Sequence, residues 1–305
     1  MKILITGATG LIGKEIVKAC HKNNFDVHYL TTSKHKIQSI ANYQGFYWNP
    51  DKNEIDIQCF ENVTAIINLA GATISNRWTP EYKKVILSSR INSLRTLKSG
   101  LKKVNTSNIK SFVSASATGI YPSSITNFYE EDETYPVKGF LGEVVEAWEK
   151  EADTFTSFSF NVVKIRIGLV MSNKGGALPE MVKPIKFYAG APFGSGEQWQ
   201  SWIHISDLAN IFLFAITQEL NGVYNAVASN PVTNEKLTLK VADVLGKKIL
   251  LPNIPQAFLK LILGDMSQLL FDSQRVSNKK ILEEGFKFKY QNVCSALKPL
   301  YGKKA

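Results

Sequence analysis

Gly7-Ala8-Thr9-Gly10-Leu11-Ile12-Gly13 is the stretch that decides the fold. It follows the apolar run Lys2–Thr6 and opens a segment, Leu11–Asn23, whose apolar residues recur at helical spacing. A glycine loop between a first strand and a first helix is the setting in which such a motif receives a dinucleotide. Gly7 permits the tight turn, Gly10 lets backbone approach a pyrophosphate, and Gly13 lets helix and strand pack closely. The helix N-terminus adds amide donors and the positive end of its dipole. A glycine triplet alone is weak evidence, because glycine turns are common. Its place at the head of a βαβ unit is what gives it weight. The candidate cofactor contacts here are Gly7, Thr9, Gly10, Leu11, Ile12 and Gly13.

Working outward, strand-length apolar runs recur at Asp26–Leu30, Ala65–Leu69, Ser111–Ser114 and Asn161–Ile167. Helical patterns lie between them, from about Thr79 to Val104 and again around Ala147–Ala152. Strand and helix in alternation imply an α/β chain with a Rossmann-type, doubly wound parallel sheet and right-handed crossovers. After Leu169 the rhythm changes to loops rich in Gly and Pro around one short helix, and from Asn230 onward the pattern is mostly helical. The expected division is a nucleotide-binding domain at 1–170, with 203–227 returning to it. Residues 171–202 and 228–305 would form a smaller, mostly helical substrate-type lobe, and the ligand cleft would lie between the two.

The second strand ends Leu30-Thr31-Thr32-Ser33-Lys34. NAD-preferring enzymes place an Asp or Glu there for the ribose 2′-hydroxyl. Hydroxyls and a cation suit a 2′-phosphate instead, so Thr32, Ser33 and Lys34 point to NADP(H); the alternative is an ordinary polar loop.

Composition excludes several classes. At 305 residues, 44% apolar and 20% charged, the chain has the profile of a globular protein. Its net charge of +10 is spread as separated pairs such as Lys83-Lys84 and Lys247-Lys248. Without an aromatic and basic platform this reads as a solvated surface that attracts phosphorylated ligands, not as a nucleic-acid interface. The three cysteines, Cys20, Cys59 and Cys294, have no metal-ligand spacing. No metal is expected, and a reduced, cytoplasmic setting is. No apolar segment approaches the length of a membrane span, and the opening run is too short for a signal peptide, so no membrane partner is expected.

The three-residue spacing of the first two glycines resembles the short-chain dehydrogenase/reductases. So do Asn68-Leu69-Ala70-Gly71, at the end of the fourth strand, and Ser114-Ala115-Ser116, at the end of the fifth. Further segments resemble a narrower group, the YfcH-like epimerase family proteins, which are atypical extended members of that class. They include Asn76-Arg77-Trp78-Thr79, Ser89-Arg90-Ile91, Ala147-Trp148-Glu149, Arg166-Ile167-Gly168 and Gly194-Ser195-Gly196. The series ends with Gln198-Trp199-Gln200-Ser201-Trp202-Ile203-His204, Tyr224-Asn225-Ala226 and Gly285-Phe286, so it spans almost the whole chain. The resemblance implies a bound nicotinamide cofactor, a small-molecule substrate and a homodimer. It also implies that Leu69, Ala70 and Gly71 lie beside the adenine and ribose, and that Ser114 and Ser116 mark the catalytic-serine segment.

One element of that class is missing. Its enzymes use a Tyr-x-x-x-Lys pair, in which the lysine lowers the tyrosine pKa so that a proton can pass to the substrate oxygen. None of the eleven tyrosines here has a lysine four residues on; the matching positions are Leu141 and Val145. Candidate substitutes are Ser116, Tyr121 and His204, with Glu143 and Glu146 on the same helix. Each has a plain structural alternative: a cap, a turn residue, a hydrogen-bonded histidine, a solvated helix surface. Arg90 and Arg166 are candidates to clamp a phosphate or carboxylate, or else to pair with nearby acids. Trp199 and Trp202 are either core or a stacking surface. Two functions follow. One is an NADP(H)-dependent oxidoreductase or epimerase-like protein acting on a small, nucleotide-linked substrate. The other is an NADP(H)-binding sensor with little turnover.

Overall fold

A computed structural model describes residues 1–302. Seven parallel strands form the body of a nine-stranded sheet: β1 (Lys2–Thr6), β2 (Asp26–Thr31), β3 (Tyr43–Asn49), β4 (Ala65–Asn68), β5 (Ser111–Ala117), β6 (Asn161–Ile167) and β7 (Gly222–Ala226). Their order across the sheet is β3-β2-β1-β4-β5-β6-β7, with Ser39–Ile40 and Glu54–Ile55 pairing antiparallel to β3. The order reverses between β1 and β4. In a doubly wound sheet that reversal opens a crevice at the carboxyl ends of the strands.

The central strands β1 and β4 form from apolar runs with no polar alternation, which suits a sheet covered on both faces. Ile3, Leu4 and Ile5 in β1 and Ile66 and Ile67 in β4 are fully buried. The larger helices are α1 (Leu11–Lys22), α2 (Pro80–Leu101), α3 (Gly139–Asp153), α4 (Ala177–Lys186), α5 (Ile205–Thr217), α6 (Asn234–Leu245), α7 (Gln256–Leu263) and α8 (Val293–Tyr301). Helices α1 and α5 pack together on one side of the sheet, and α2 and α3 on the other. Helix α2 starts where Thr79 caps it by accepting from the Tyr82 amide, with Pro80 at the first helical position. The fold class expected from the sequence is the one observed.

Strand β3 has no counterpart among the runs read from the sequence, because Gly45 interrupts it. The structure shows why a glycine is there. A Cβ on Gly45 would stand 2.5 Å from the Tyr29 ring. The Tyr29 hydroxyl in turn donates to the Lys36 carbonyl (2.6 Å) and accepts from the Gln38 amide (2.8 Å), which fixes the loop after β2.

A second core holds Met171, Leu178, Val182, Trp202, Leu237, Val241 and Leu297, and joins α4, α6 and α8. Ties to the sheet are apolar and polar: Ile281, Phe286 and Phe288 are buried in the sheet's own core. Asp207 accepts from the Lys289 and Tyr290 amides, and Gln274 donates to the Tyr121 carbonyl (2.7 Å). The short strand Arg275–Val276 runs parallel to Phe128–Tyr129.

The tightest backbone approach is at α1. A Cβ on Gly13 would lie 2.2 Å from the Gly7 carbonyl oxygen and 2.6 Å from the Ala8 Cα, and both neighbours are backbone. We expect Gly13→Ala to destabilise the protein by about 1–3 kcal/mol, read as a lower urea midpoint at unchanged slope. Gly10→Ala, whose Cβ would meet only the Gly7 oxygen at 3.2 Å, should shift the midpoint by less than about 0.5 kcal/mol.

Candidate functional site

The crevice is built around a hydrogen-bonded clamp between β1 and β4. The Thr6 hydroxyl donates to Asn68 Oδ1 (2.8 Å) and accepts from the Leu69 (3.0 Å) and Ala70 (3.1 Å) amides. Asn68 Nδ2 reaches on to Ser114 Oγ at 3.4 Å, and the Ser114 hydroxyl donates to the Ala115 carbonyl. Thr6, Asn68 and Ser114 are each fully buried, so these bonds hold the turn Leu69-Ala70-Gly71 in place without water. The Ser114 hydroxyl is therefore spent inside the sheet and is not free to meet a cofactor.

Gly7 adopts φ +71°, which a side chain would strain, and its missing Cβ faces Leu69 at 3.2 Å. Above Gly10 the space is open. Helix α1 begins at Leu11 with no capping side chain and no acid in its first turn, which leaves its first amides to bind an anion. At the end of β2, Thr31 accepts from the Ser33 amide (3.2 Å), while Thr32 and Lys34 are exposed and Ser33 half-buried. Lys34 Nζ stands 5.1 Å above the Tyr47 ring. Across the crevice the Arg90 guanidinium lies against Gly71 and stacks on the Trp148 indole at 5.0 Å. One of its nitrogens donates to the Ile86 (2.8 Å) and Ala72 (3.3 Å) carbonyls, and among the described residues it forms no ion pair. Burial without a carboxylate pulls its pKa down to about 10.

Beside the crevice lies a closed polar network. Arg166 donates from Nε (2.8 Å) and Nη2 (2.9 Å) to the two oxygens of Glu149, and from Nη1 to the Tyr121 hydroxyl (2.9 Å). Tyr121 donates to Asn225 Oδ1 (2.8 Å), and Asn225 donates to the Ser277 carbonyl (3.0 Å). The Ser116 hydroxyl donates to Glu149 Oε1 at 2.5 Å. Burial pushes the Glu149 carboxyl up, but the Arg166 bonds and charge, with Ser116, outweigh it and leave it below the usual range. Burial pushes the Tyr121 phenol up to about 12 even against Arg166.

This geometry corrects the expectation for Arg166, because a guanidinium whose nitrogens all serve Glu149 and Tyr121 cannot also clamp a ligand. It likewise removes Ser116 and Tyr121 from the crevice surface as proton donors, since both are within 2% of full burial and already bonded. His204 is a helix cap. Its Nδ1 accepts from the Ser206 amide (3.2 Å), its ring lies 4.0 Å from Tyr290, and Nε2 is buried without a partner. Burial, aided by Lys289, lowers its pKa to about 4. Leu141 and Val145, at the Tyr and Lys positions of the class, pack against Gly119, and Glu143 and Glu146 are exposed. Trp202 is core, while Trp199 donates to the Ile125 carbonyl beneath Arg275.

Glu149, Asn225 and Thr6 are absent from the sequence-derived site. Glu149 was visible in principle: with Val144, Val145, Trp148 and Ala152 it occupies the buried face of α3, where a lone acid needs a partner.

Two outcomes follow. Glu149→Ala strands the buried Arg166 charge, and we expect a loss of about 3–5 kcal/mol by urea unfolding. Part of this should return when Glu149→Met is combined with Arg166→Met. His204 gives a pH signature. Its folded pKa lies below the unfolded 6.5, so the unfolded state binds more protons between about pH 6.5 and 4. Stability should fall as pH falls through that window, by up to about 3 kcal/mol. His204→Asn keeps the cap and should flatten most of the slope. His28, whose pKa burial also lowers, adds to the slope, whereas Glu131, Asp207 and Asp272, whose carboxyls burial raises, oppose it.

Comparison with known proteins agrees with this architecture. The profile described as the NAD dependent epimerase/dehydratase family matches residues 3–226, and a domain of unknown function (DUF1731) matches residues 254–300. An epimerase family protein of Staphylococcus aureus (strain MRSA252) is 38% identical over 98% of this chain and 99% of its own length. The chloroplastic SDR39U1 homolog of Arabidopsis thaliana, also an epimerase family protein, is 36% identical over 98% of this chain and 86% of its own. The crystal structure of human epimerase family protein SDR39U1 (isoform2) with NADPH superposes with a TM-score of 0.87 at 27% identity, covering 99% of each chain. With the glycine loop at the switch point and a family match across most of its length, the chain belongs to the NAD dependent epimerase/dehydratase family.

Proposed function

We propose that this protein binds NADP(H) in the crevice between β1 and β4 and acts as an oxidoreductase of the epimerase type on a small, nucleotide-linked substrate. The observation that carries the cofactor half is the charge pattern. The crevice residues include two cations without carboxylate partners, Lys34 and Arg90, and no acid at the end of β2. In this reading the amides of Gly7 to Gly13, with Thr9, hold the pyrophosphate. Thr32, Ser33 and Lys34 hold the 2′-phosphate, Leu69, Ala70 and Gly71 line the adenine and ribose, and Arg90 closes over the phosphates. The NADPH of the human relative's structure supports the same choice. When bound, the nicotinamide supplies the hydride chemistry. Ser116, Tyr121, Ser114 and Arg166 then act as positioning residues that hold β5 and β6 rigid beside it.

A second reading is favoured by one specific observation. With Leu141 and Val145 at the proton-transfer positions and Tyr121 and Ser116 locked in a buried network, the site offers a bound nicotinamide no titratable partner among the residues named here. That arrangement suits a nucleotide-sensing protein with little turnover.

Titration followed by nicotinamide fluorescence tests the binding. NADPH should bind at least about tenfold tighter than NADH. Gly10→Asp should abolish binding of both, Lys34→Glu should narrow the preference, and Arg90→Met should weaken NADPH by roughly 10- to 100-fold. Equal affinity for the two nucleotides, or an unchanged Gly10→Asp variant, would sink the assignment. Oxidation of bound NADPH by a panel of carbonyl and sugar-nucleotide compounds then separates the readings: turnover supports the first, none the second.

A further inference from the structure

Between Asp243 and Asp265 the sequence has no acidic residue, yet it carries Lys247, Lys248 and Lys260 among Ile249, Leu250, Leu251, Phe258, Leu261 and Ile262. The fold leaves this stretch uncovered. Leu250 is 65% exposed, Phe258 55%, Leu261 80% and Ile262 51%. Helix α7 has no buried residue, and it packs mainly against the turn that follows it. Phe258, Leu261 and Ile262 stand at i, i+3 and i+4, so they share one face and form a stripe of large apolar side chains turned to solvent. A folded chain rarely leaves such a stripe in water without a use.

We infer that α7 and the stretch leading into it form a docking surface for an anionic membrane, with α7 lying in the interface plane. The charge of this surface selects that occupant. Lys247 and Lys248 lead into the apolar face, Lys260 lies on the helix, and the nearest acid, Asp265, is paired with Lys83. A net cationic surrounding of this kind is the composition of a helix that sits among anionic headgroups. Each lysine near such a surface adds about 1 kcal/mol of attraction. A second copy of the chain is disfavoured by the same charges, because mating two such faces brings like-charged lysines together with no carboxylate between 244 and 264 to offset them. The net +10 of the whole molecule adds to the attraction. The expectation of no membrane partner rested on the lack of a spanning segment, and no helix here is long and apolar enough to cross a membrane. A surface-lying helix needs no such length. This inference is independent of the cofactor assignment, because α7 carries none of the nucleotide-binding residues.

Vesicle flotation tests it, using full-length protein with phosphatidylcholine vesicles containing or lacking phosphatidylglycerol. Wild type should float with the anionic vesicles, less so as salt rises, and stay behind with the neutral ones. Lys248→Gln with Lys260→Gln should lower the partition by roughly thirtyfold. Phe258→Ser with Leu261→Ser should lower it by about tenfold or more. Both variants should keep the wild-type urea midpoint and slope, which shows that they fold. Failure to float, or equal flotation with neutral vesicles, overturns the inference. So does a dimer in light scattering that Leu261→Ser dissociates, since the stripe would then be an interface between copies.

Discussion

Everything in the nucleotide half of this molecule depends on how close α1 comes to the turn after β1. The Gly7 carbonyl occupies the space where any residue at 13 would place its Cβ, so helix and strand meet at a distance only two hydrogens allow. That contact aims the first amides of α1 into the crevice. The opposite wall is positioned by a different force. There a buried threonine hydroxyl, satisfied three times over, ties the end of β1 to the turn after β4. One wall is set by steric exclusion and the other by hydrogen bonding in a dry sheet. Neither relies on a surface contact that solvent could weaken.

The second region of interest works by opposite means. Glu149 and Arg166 are charges taken out of water, which costs free energy that only near-ideal geometry returns. Their bidentate pairing, with Ser116 and Tyr121 as further partners, commits both carboxylate oxygens and all three guanidinium nitrogens to contacts within the protein. In the short-chain class the corresponding segment faces substrate; here it faces inward. These side chains hold β5 and β6 together, and Leu141 and Val145 stand where the class has its Tyr-x-x-x-Lys pair.

The sheet was legible because its signals are local. A glycine loop at residue 7 and unbroken apolar runs in β1 and β4 follow from backbone geometry and burial, which sequence periodicity encodes directly. Gly45 hid β3 because its reason is a tertiary one, the Tyr29 ring on the neighbouring strand. The site was half legible for a similar cause. Loop glycines and the missing acid after β2 can be read one residue at a time. Whether Arg166 faces a phosphate or a glutamate depends on which helix covers β6, and no spacing rule states that. His204 misled because a histidine next to a cleft motif reads as chemistry, whereas the first turn of α5 needed a cap.

The ties between the two ends of the chain also bear on how the protein is made. Tyr121 and the segment that follows it as far as Tyr129 find their partners at Ser273, Gln274 and Ser277, with a separation of 153 residues at the Tyr121–Gln274 bond. A nascent chain leaving the ribosome therefore exposes the far edge of its first domain until nearly the last helix has been translated. Chaperones would meet that edge long before the chain could close it, and premature release would strand the first domain with its most polar interior open to water.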